Sequence, residues 1–154
     1  MHMYKALKRM KQDDLTATDF YRACVCLGLN RAARATSRRY DAVFKPIGIT
    51  SGQFTILSAL KRDKPVPISD MADLLGMDRT TLTRNLKPLE TLRLVATHTD
   101  ARDRRVRSLT LTAKGRALLK QALPLWRKVQ KESNRRIGPN RWDELRPALD
   151  FLSA

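Results

Sequence analysis

The side chains best suited to chemistry in this 154-residue chain are hydrogen-bond donors and cations, and they fall in two runs. In the first, Arg79, Thr80, Thr81, Thr83, Arg84, Asn85 and Lys87 crowd around Leu82, Leu86 and Leu89, which recur at i, i+4, i+7. A helix over this run buries the leucines and turns the donors outward. Arg, Asn and Thr near the start of such a helix can hydrogen-bond base edges in a major groove, while Arg and Lys also hold phosphates. The second run contains Arg102, Arg104, Arg105 and Arg107. Its polar tip, Asp100 to Arg105, lies between two alternating, β-branched stretches, Leu94 to Thr99 and Val106 to Thr112. A short basic hairpin tip suits a narrow minor groove, whose negative potential favours guanidinium. Asp100 and Asp103, which DNA would repel, then pair with neighbouring arginines and leave Arg102 and Arg104 as the stronger contacts.

The global charge points the same way. Thirty-one Lys and Arg against fifteen Asp and Glu give a formal +16, which favours a polyanionic partner. No apolar run is long enough to span a bilayer, and no basic start leads into an apolar secretory segment, so the expectation is a cytoplasmic protein. Cys24 and Cys26 make no disulfide framework, and no other Cys completes a zinc site with the isolated His2 and His98. Glycine-rich phosphate loops, metal-ligand spacings and activated-serine elbows are missing, which argues against an enzyme and gives no cofactor.

The two runs need a scaffold, and the flanking sequence supplies one. Ile68 to Leu75 places Met71, Leu74 and Leu75 at helical spacing around Ala72, and Gly76 can take the positive φ of a tight turn. Asp78 suits an N-cap accepting from the amide of Thr80 or Thr81, and Pro88 predicts a slight bend further along. Upstream, Thr50 and Gln53 form a capping box opening the helix of Phe54, Leu57 and Leu60, and Lys61 to Pro67 is the linker onward. Before it, one long helix is expected from about Thr18, carrying Phe20, Cys24, Leu27, Ala35, Val43 and Phe44 and stopped by Pro46. After the hairpin, Thr112 can cap a second long helix with Leu118, Leu119, Ala122, Leu125, Trp126 and Val129 on one face. Gly138 and Pro139 end it, and Pro139 fits the first turn of a last helix bearing Trp142, Leu145, Leu149 and Leu152. A small head has too little surface to cover both terminal stripes, which suggests a two-fold dimer. The expected fold is mainly α with a small β-hairpin wing, a winged helix-turn-helix dimerising through its N- and C-terminal helices. The divisions are a basic N-terminal arm over 1–17, dimerisation helices over 18–46 and 113–154, and the winged helix-turn-helix DNA-binding region over 47–112.

At these residues the chain resembles the MarR (multiple antibiotic resistance regulator) family, through TTLTRNLKPLE from Thr80, DARDRRVRSLTLTAKG from Asp100, ITSGQFTIL from Ile49 and LTAKGRALL from Leu111. The resemblance covers nearly the whole chain. It implies an obligate homodimer that reads a pseudo-palindromic operator in double-stranded DNA as a transcriptional regulator, in the reading taken here a repressor. One departure is visible: where the family's LExxGLV pattern has Gly, this chain has Arg93. A left-handed Arg93 would carry about 1 kcal/mol of strain; otherwise the helix ends differently. The resemblance also implies a small-molecule effector, a small aromatic or lipophilic acid. Arg31, Arg34, Arg38 and Arg39, near Tyr40 and Phe44, are candidates to hold its carboxylate against an apolar wall. The alternative is the family's organic-hydroperoxide-sensing branch, whose reactive cysteine falls on Cys26 and one of whose tyrosines falls on Tyr40, while the other falls on Ser51. A packed apolar thiol is the competing role for Cys26. A nonspecific nucleic-acid-binding architectural protein is the remaining competitor, disfavoured by the ordered head.

Overall fold

The computed structural model describes residues 16–99 and 106–153. They divide after Arg38 into two compact units. In the first, α1 (Ala17–Ala23) starts from a capping box in which the Asp19 amide donates to Thr16 Oγ1 at 3.2 Å and the Thr16 amide donates back to Asp19 Oδ2 at 3.3 Å. The single long helix expected from Thr18 is interrupted. Cys24 is extended (φ −72°, ψ 106°) and ends α1, and its Sγ accepts the Leu27 amide at 3.4 Å as α2 (Val25–Phe44) begins. A sulfur is a weak acceptor, but here it serves one of the amides that a helix start leaves without a partner.

The second unit begins in the last turns of α2. A 3-10 turn, Lys45–Ile47, carries Pro46 and closes on Gly48 at φ 72°. There follow α3 (Ser51–Ala59), β1 (Val66–Pro67), α4 (Ile68–Leu75), α5 (Arg79–Thr91), β2 (Val95–Thr99), β3 (Arg107–Leu111), α6 (Ala113–Ile137) and α7 (Arg141–Ser153). The expected hairpin is part of a three-stranded antiparallel sheet in the order β1-β3-β2. Val95 pairs with Leu111, Thr97 with Leu109 and Thr99 with Arg107, while Val66 of the extra strand pairs with Leu109 from the other side. The linker read from Lys61 to Pro67 therefore ends in a strand. Pro67 is tolerated because β1 is an edge.

The fold is thus helical with a small wing, as the hydrophobic periodicity implies. Leu82, Leu86 and Leu89 of α5 are buried together with Met71, Leu57, Ile56 and Leu109, so truncating one of these leucines to Ala should cost roughly 2–5 kcal/mol. Phe44 stacks on Phe54 with ring centroids 4.6 Å apart, and Trp126 of α6 lies 6.4 Å beyond Phe54. Leu74 departs from its predicted core role: it is 51% exposed, while Met71 and Ala72 alone of α4 are buried. Gly138 ends α6 as expected, but Pro139 precedes α7 instead of opening it, and Asn140 at φ 61° makes the turn. No residue of α7 is buried within the chain.

Candidate nucleic-acid interface

The helix expected to read DNA is α5, and its start is fixed by local chemistry. Gly76 adopts φ 56°, and Met77 donates to the Ala72 carbonyl at 3.0 Å, closing α4 and turning the chain. Asp78 then caps α5: its Oδ1 accepts the Thr81 amide at 2.7 Å and its Oδ2 accepts the Thr81 hydroxyl at 2.8 Å. These bonds, the Thr81 amide first, hold the Asp78 carboxyl below its ordinary value.

The expected site residues separate into two groups. Arg79, Thr80, Thr83, Arg84 and Lys87 are exposed, with Thr80, Thr83, Arg84 and Lys87 following one another at helical spacing along one face. The Thr83 hydroxyl donates to the Arg79 carbonyl at 2.7 Å and keeps its lone pairs for an outside donor. Thr81 and Asn85 are half-buried and already engaged. Thr81 serves the cap, and Asn85 Nδ2 donates to the Thr81 carbonyl at 2.9 Å while its Oδ1 lies over Gly52 of α3.

At its other end α5 is tied to the wing. Glu90 accepts the Thr97 hydroxyl of β2 and lies 4.0 Å from the Arg107 guanidinium of β3. Arg107 stays 57% exposed, so the ion pair orients it while leaving its outer face available. Arg93 takes the left-handed conformation at φ 56°, the glycine-like alternative, and Leu94 donates back to the Leu89 carbonyl at 2.8 Å. The neighbouring carbonyls are satisfied from the start of α6 and its N-cap: Lys114 Nζ reaches the Leu92 carbonyl at 3.0 Å and the Thr112 hydroxyl reaches that of Arg93 at 2.8 Å. Helical spacing and charge alone do not mark Glu90 or Lys114 for these roles. A carboxylate at the end of the donor helix, ahead of alternating Thr and Arg in the strands, is the signal that was there to read. His98, set aside as isolated, lies on the wing with Nε2 2.8 Å from Thr110 Oγ1. Arg102, Arg104 and Arg105, with Asp100 and Asp103, lie outside the described residues.

The effector and redox candidates are placed as follows. Arg31, Arg34 and Arg38 line an open groove of about 400 Å³ along α2 with Gly28, Ala32 and Ala35, and the Arg31 guanidinium sits 4.3 Å from the centre of the Tyr21 ring. Phe44 is fully buried in the core of the second unit, so it cannot wall a ligand as its sequence position suggested. Cys26 is exposed, its Sγ 3.2 Å from Asn30 Nδ2. The Tyr40 hydroxyl donates to Gln130 Oε1 at 2.6 Å. Among the described residues no three His, Cys, Asp or Glu side chains gather as metal ligands, and no helix is long and apolar enough to cross a membrane.

Comparison with known proteins agrees with this geometry. Residues 47–106 match the MarR family profile. The chain is 38% identical to the M. tuberculosis transcriptional regulator MOSR, whose structure was solved in complex with DNA; the match covers 84% of this chain and 93% of that one, with a TM-score of 0.76. It is 32% identical over 94 residues to the HTH-type transcriptional regulator TtmR of Methylorubrum extorquens, covering 61% of this chain and 48% of that protein, so it spans about half the length of this curated relative. A mutant of MarR from E. coli, complexed with operator DNA, shares the fold at a TM-score of 0.74 with 21% identity, over 86% of this chain and 96% of that one.

Proposed function

This chain belongs to the MarR family of winged helix-turn-helix regulators, and from that premise we propose that it is a homodimeric, sequence-specific DNA-binding repressor released by a small aromatic or lipophilic acid. The observation that carries the reading is the exposed face of α5. A helix whose leucines are buried and whose first turn is capped by Asp78 presents Arg79, Thr80, Thr83, Arg84 and Lys87 outward on a chain of net charge +16. Such a helix enters a major groove with its N-terminal residues at base edges, and Arg107 with the arginines of the wing tip, Arg102, Arg104 and Arg105, takes the flanking minor groove and phosphates.

Dimerisation is supported by apolar side chains that their own unit leaves uncovered: Phe20, Tyr21, Val25 and Leu29 on α1 and α2, and Trp142, Leu145, Phe151 and Leu152 on α7. Packing them against a second copy removes them from water and sets two α5 helices about 34–36 Å apart, one turn of B-DNA. The effector reading rests on the Arg31, Arg34 and Arg38 groove, where guanidinium forks suit a carboxylate and the Tyr21 ring suits an aromatic body. Acid sensing is favoured over hydroperoxide sensing because the Tyr40 hydroxyl is committed to Gln130.

Footprinting on genomic fragments, followed by titration of the protected duplex, tests the proposal. A discrete inverted repeat should be protected, and its affinity should fall about a thousandfold or more between 50 and 200 mM salt as counterions compete for the phosphates. Protection without phase, or an affinity indifferent to salt, refutes it. Release by benzoate that is lost on Arg34→Ala supports the effector site; unchanged release in that variant refutes it.

A further inference from the structure

Asn85 stands apart from the other donors of α5. The atoms of its amide fill the space beside Gly52, the second residue of α3, where an added Cβ would lie 2.9 Å from Asn85 Oδ1, 3.4 Å from Cγ and 3.6 Å from Nδ2. Gly52 sits inside a helix without a positive φ, where alanine is the better helix former, so local conformation gives no reason for glycine. The reason is the approach of Asn85. One residue earlier the Ser51 amide donates to Asp41 Oδ1 of α2 at 2.6 Å. The turn carrying both contacts is stiffened by the capping box, in which the Thr50 amide donates to Gln53 Oε1 at 2.9 Å and the Gln53 amide to Thr50 Oγ1 at 3.3 Å.

Three helices therefore meet at two consecutive residues, Ser51 holding the end of α2 and Gly52 holding α5. We propose that this turn seats the DNA-reading helix on the end of α2, and that Asp41, Gly52 and Asn85 are positioning residues, Asn85 fixing the seat of α5 instead of reading a base. The proposal rests on the DNA-binding reading of α5. Its consequence is that a shift of the last turns of α2 is handed through the Asp41–Ser51 bond to α3 and through the Gly52–Asn85 contact to α5. The contact passes on such a displacement because the Asn85 amide is pinned to α5 by the bond from its Nδ2 to the Thr81 carbonyl at 2.9 Å and cannot swing aside without breaking it.

The test uses the full chain, a duplex that the wild type selects from a random pool, and a scrambled duplex of the same length. Gly52→Ala should lower affinity for the selected duplex about tenfold and for the scrambled one little, with helix content unchanged or raised. In the Asn85→Ala background, which lacks the atoms an added Cβ would meet, the same substitution should change affinity less than about twofold. Asp41→Asn, which keeps the acceptor, should retain selectivity that Asp41→Ala loses. Unchanged selectivity in Gly52→Ala, or an equal loss in both backgrounds, overturns the proposal. If Gly52→Ala does not fold, the Asp41 pair decides, and equal behaviour of its two members overturns it. A wild type that selects no duplex refutes the DNA-binding reading, and this inference with it.

Discussion

The sharpest consequence of the packing concerns Gly115, in the first turn of α6. A Cβ built there would lie 2.1 Å from the Leu94 carbonyl oxygen and 2.8 Å from Leu111 Cδ1. Leucine can rotate away, but the carbonyl belongs to backbone held on several sides. The Leu94 oxygen accepts the Thr112 amide at 3.1 Å and the Thr112 hydroxyl at 3.1 Å, while the Leu94 amide is held by the Leu89 carbonyl. To accept a methyl group, α6 and the start of β2 must separate by roughly 1 Å, enough to weaken those bonds and open a gap in van der Waals contact. Overpacking of this kind costs about 1–3 kcal/mol, and occasionally more where backbone must move. The better helix propensity of alanine returns at most about 1 kcal/mol. Gly115→Ala should therefore destabilise by about 2 kcal/mol, lowering Tm by roughly 4–8 °C for a chain of this size. Thermal unfolding at matched protein concentration measures it, so that any self-association contributes equally to both proteins. An unchanged or raised Tm would refute the reasoning, because helix propensity would then outweigh the contact.

Arg84→Ala should weaken binding and relax base preference, whereas Arg104→Ala should lose most at narrow A·T-rich flanks; titration on operator and scrambled duplexes at fixed salt checks both, and wild-type affinity in either would contradict its groove assignment. Asp78 has its carboxyl held below the ordinary value of 3.8, so its ionised cap stabilises the folded protein above that pH and the contribution disappears as pH falls through the lower folded value. The Tm advantage of wild type over Asp78→Asn should then shrink on acidification, and a constant difference would be inconsistent with this. Arg93→Gly should raise stability by about 0.5–1 kcal/mol, left-handed strain relieved less the added freedom of the unfolded chain; a lower Tm in thermal unfolding would mean the Arg93 side chain contributes more than its strain costs. Phe151, 83% exposed, should be covered by a second copy, so Phe151→Asp should shift sedimentation toward monomer, and an undiminished dimer would place the interface elsewhere.

Features legible in the sequence were those decided within a few residues. The caps at Thr50, Asp78 and Thr112, the turn at Gly76 and the stripe of Leu82, Leu86 and Leu89 depend on neighbours three to seven positions away, and each stands as its spacing implies. What the sequence concealed depends on distant partners or on competing local bonds. β1 exists because Val66 meets Leu109 across the sheet, a pairing that two residues cannot announce. The break at Cys24 turns on a thiol accepting an amide, a use of sulfur that propensity does not weigh. Leu74 fits the helical stripe by spacing, yet α4 is short and its buried side is filled by Met71 and Ala72. Within the candidate interface, residue type marked the donors but not their orientation. Asn85 is as polar as Arg84, but it is half-buried, bonded to the Thr81 carbonyl and set against Gly52, while Arg84 is exposed.

The same distinction explains why α5 can be both exposed and well placed. A reading helix must leave its polar face bare, so it cannot be held by that face, and holding it only by buried leucines would leave rotation about its axis weakly determined, since apolar contact is non-directional. A directional bond to another element restricts that freedom. Asp78 shapes the first turn from within through Thr81, and Glu90 ties the last turn to the wing by accepting the Thr97 hydroxyl, with the Arg107 guanidinium 4.0 Å away. Lys114 and Thr112 then lock the carbonyls of the turn that follows. Since Glu90 accepts from β2 and faces Arg107 of β3, a rotation of α5 strains its link to the wing. In the DNA-binding reading proposed above, the contacts of α5 and of the wing are thereby linked, so Glu90→Ala should weaken both although Glu90 itself, as an anion, is not suited to touch phosphate.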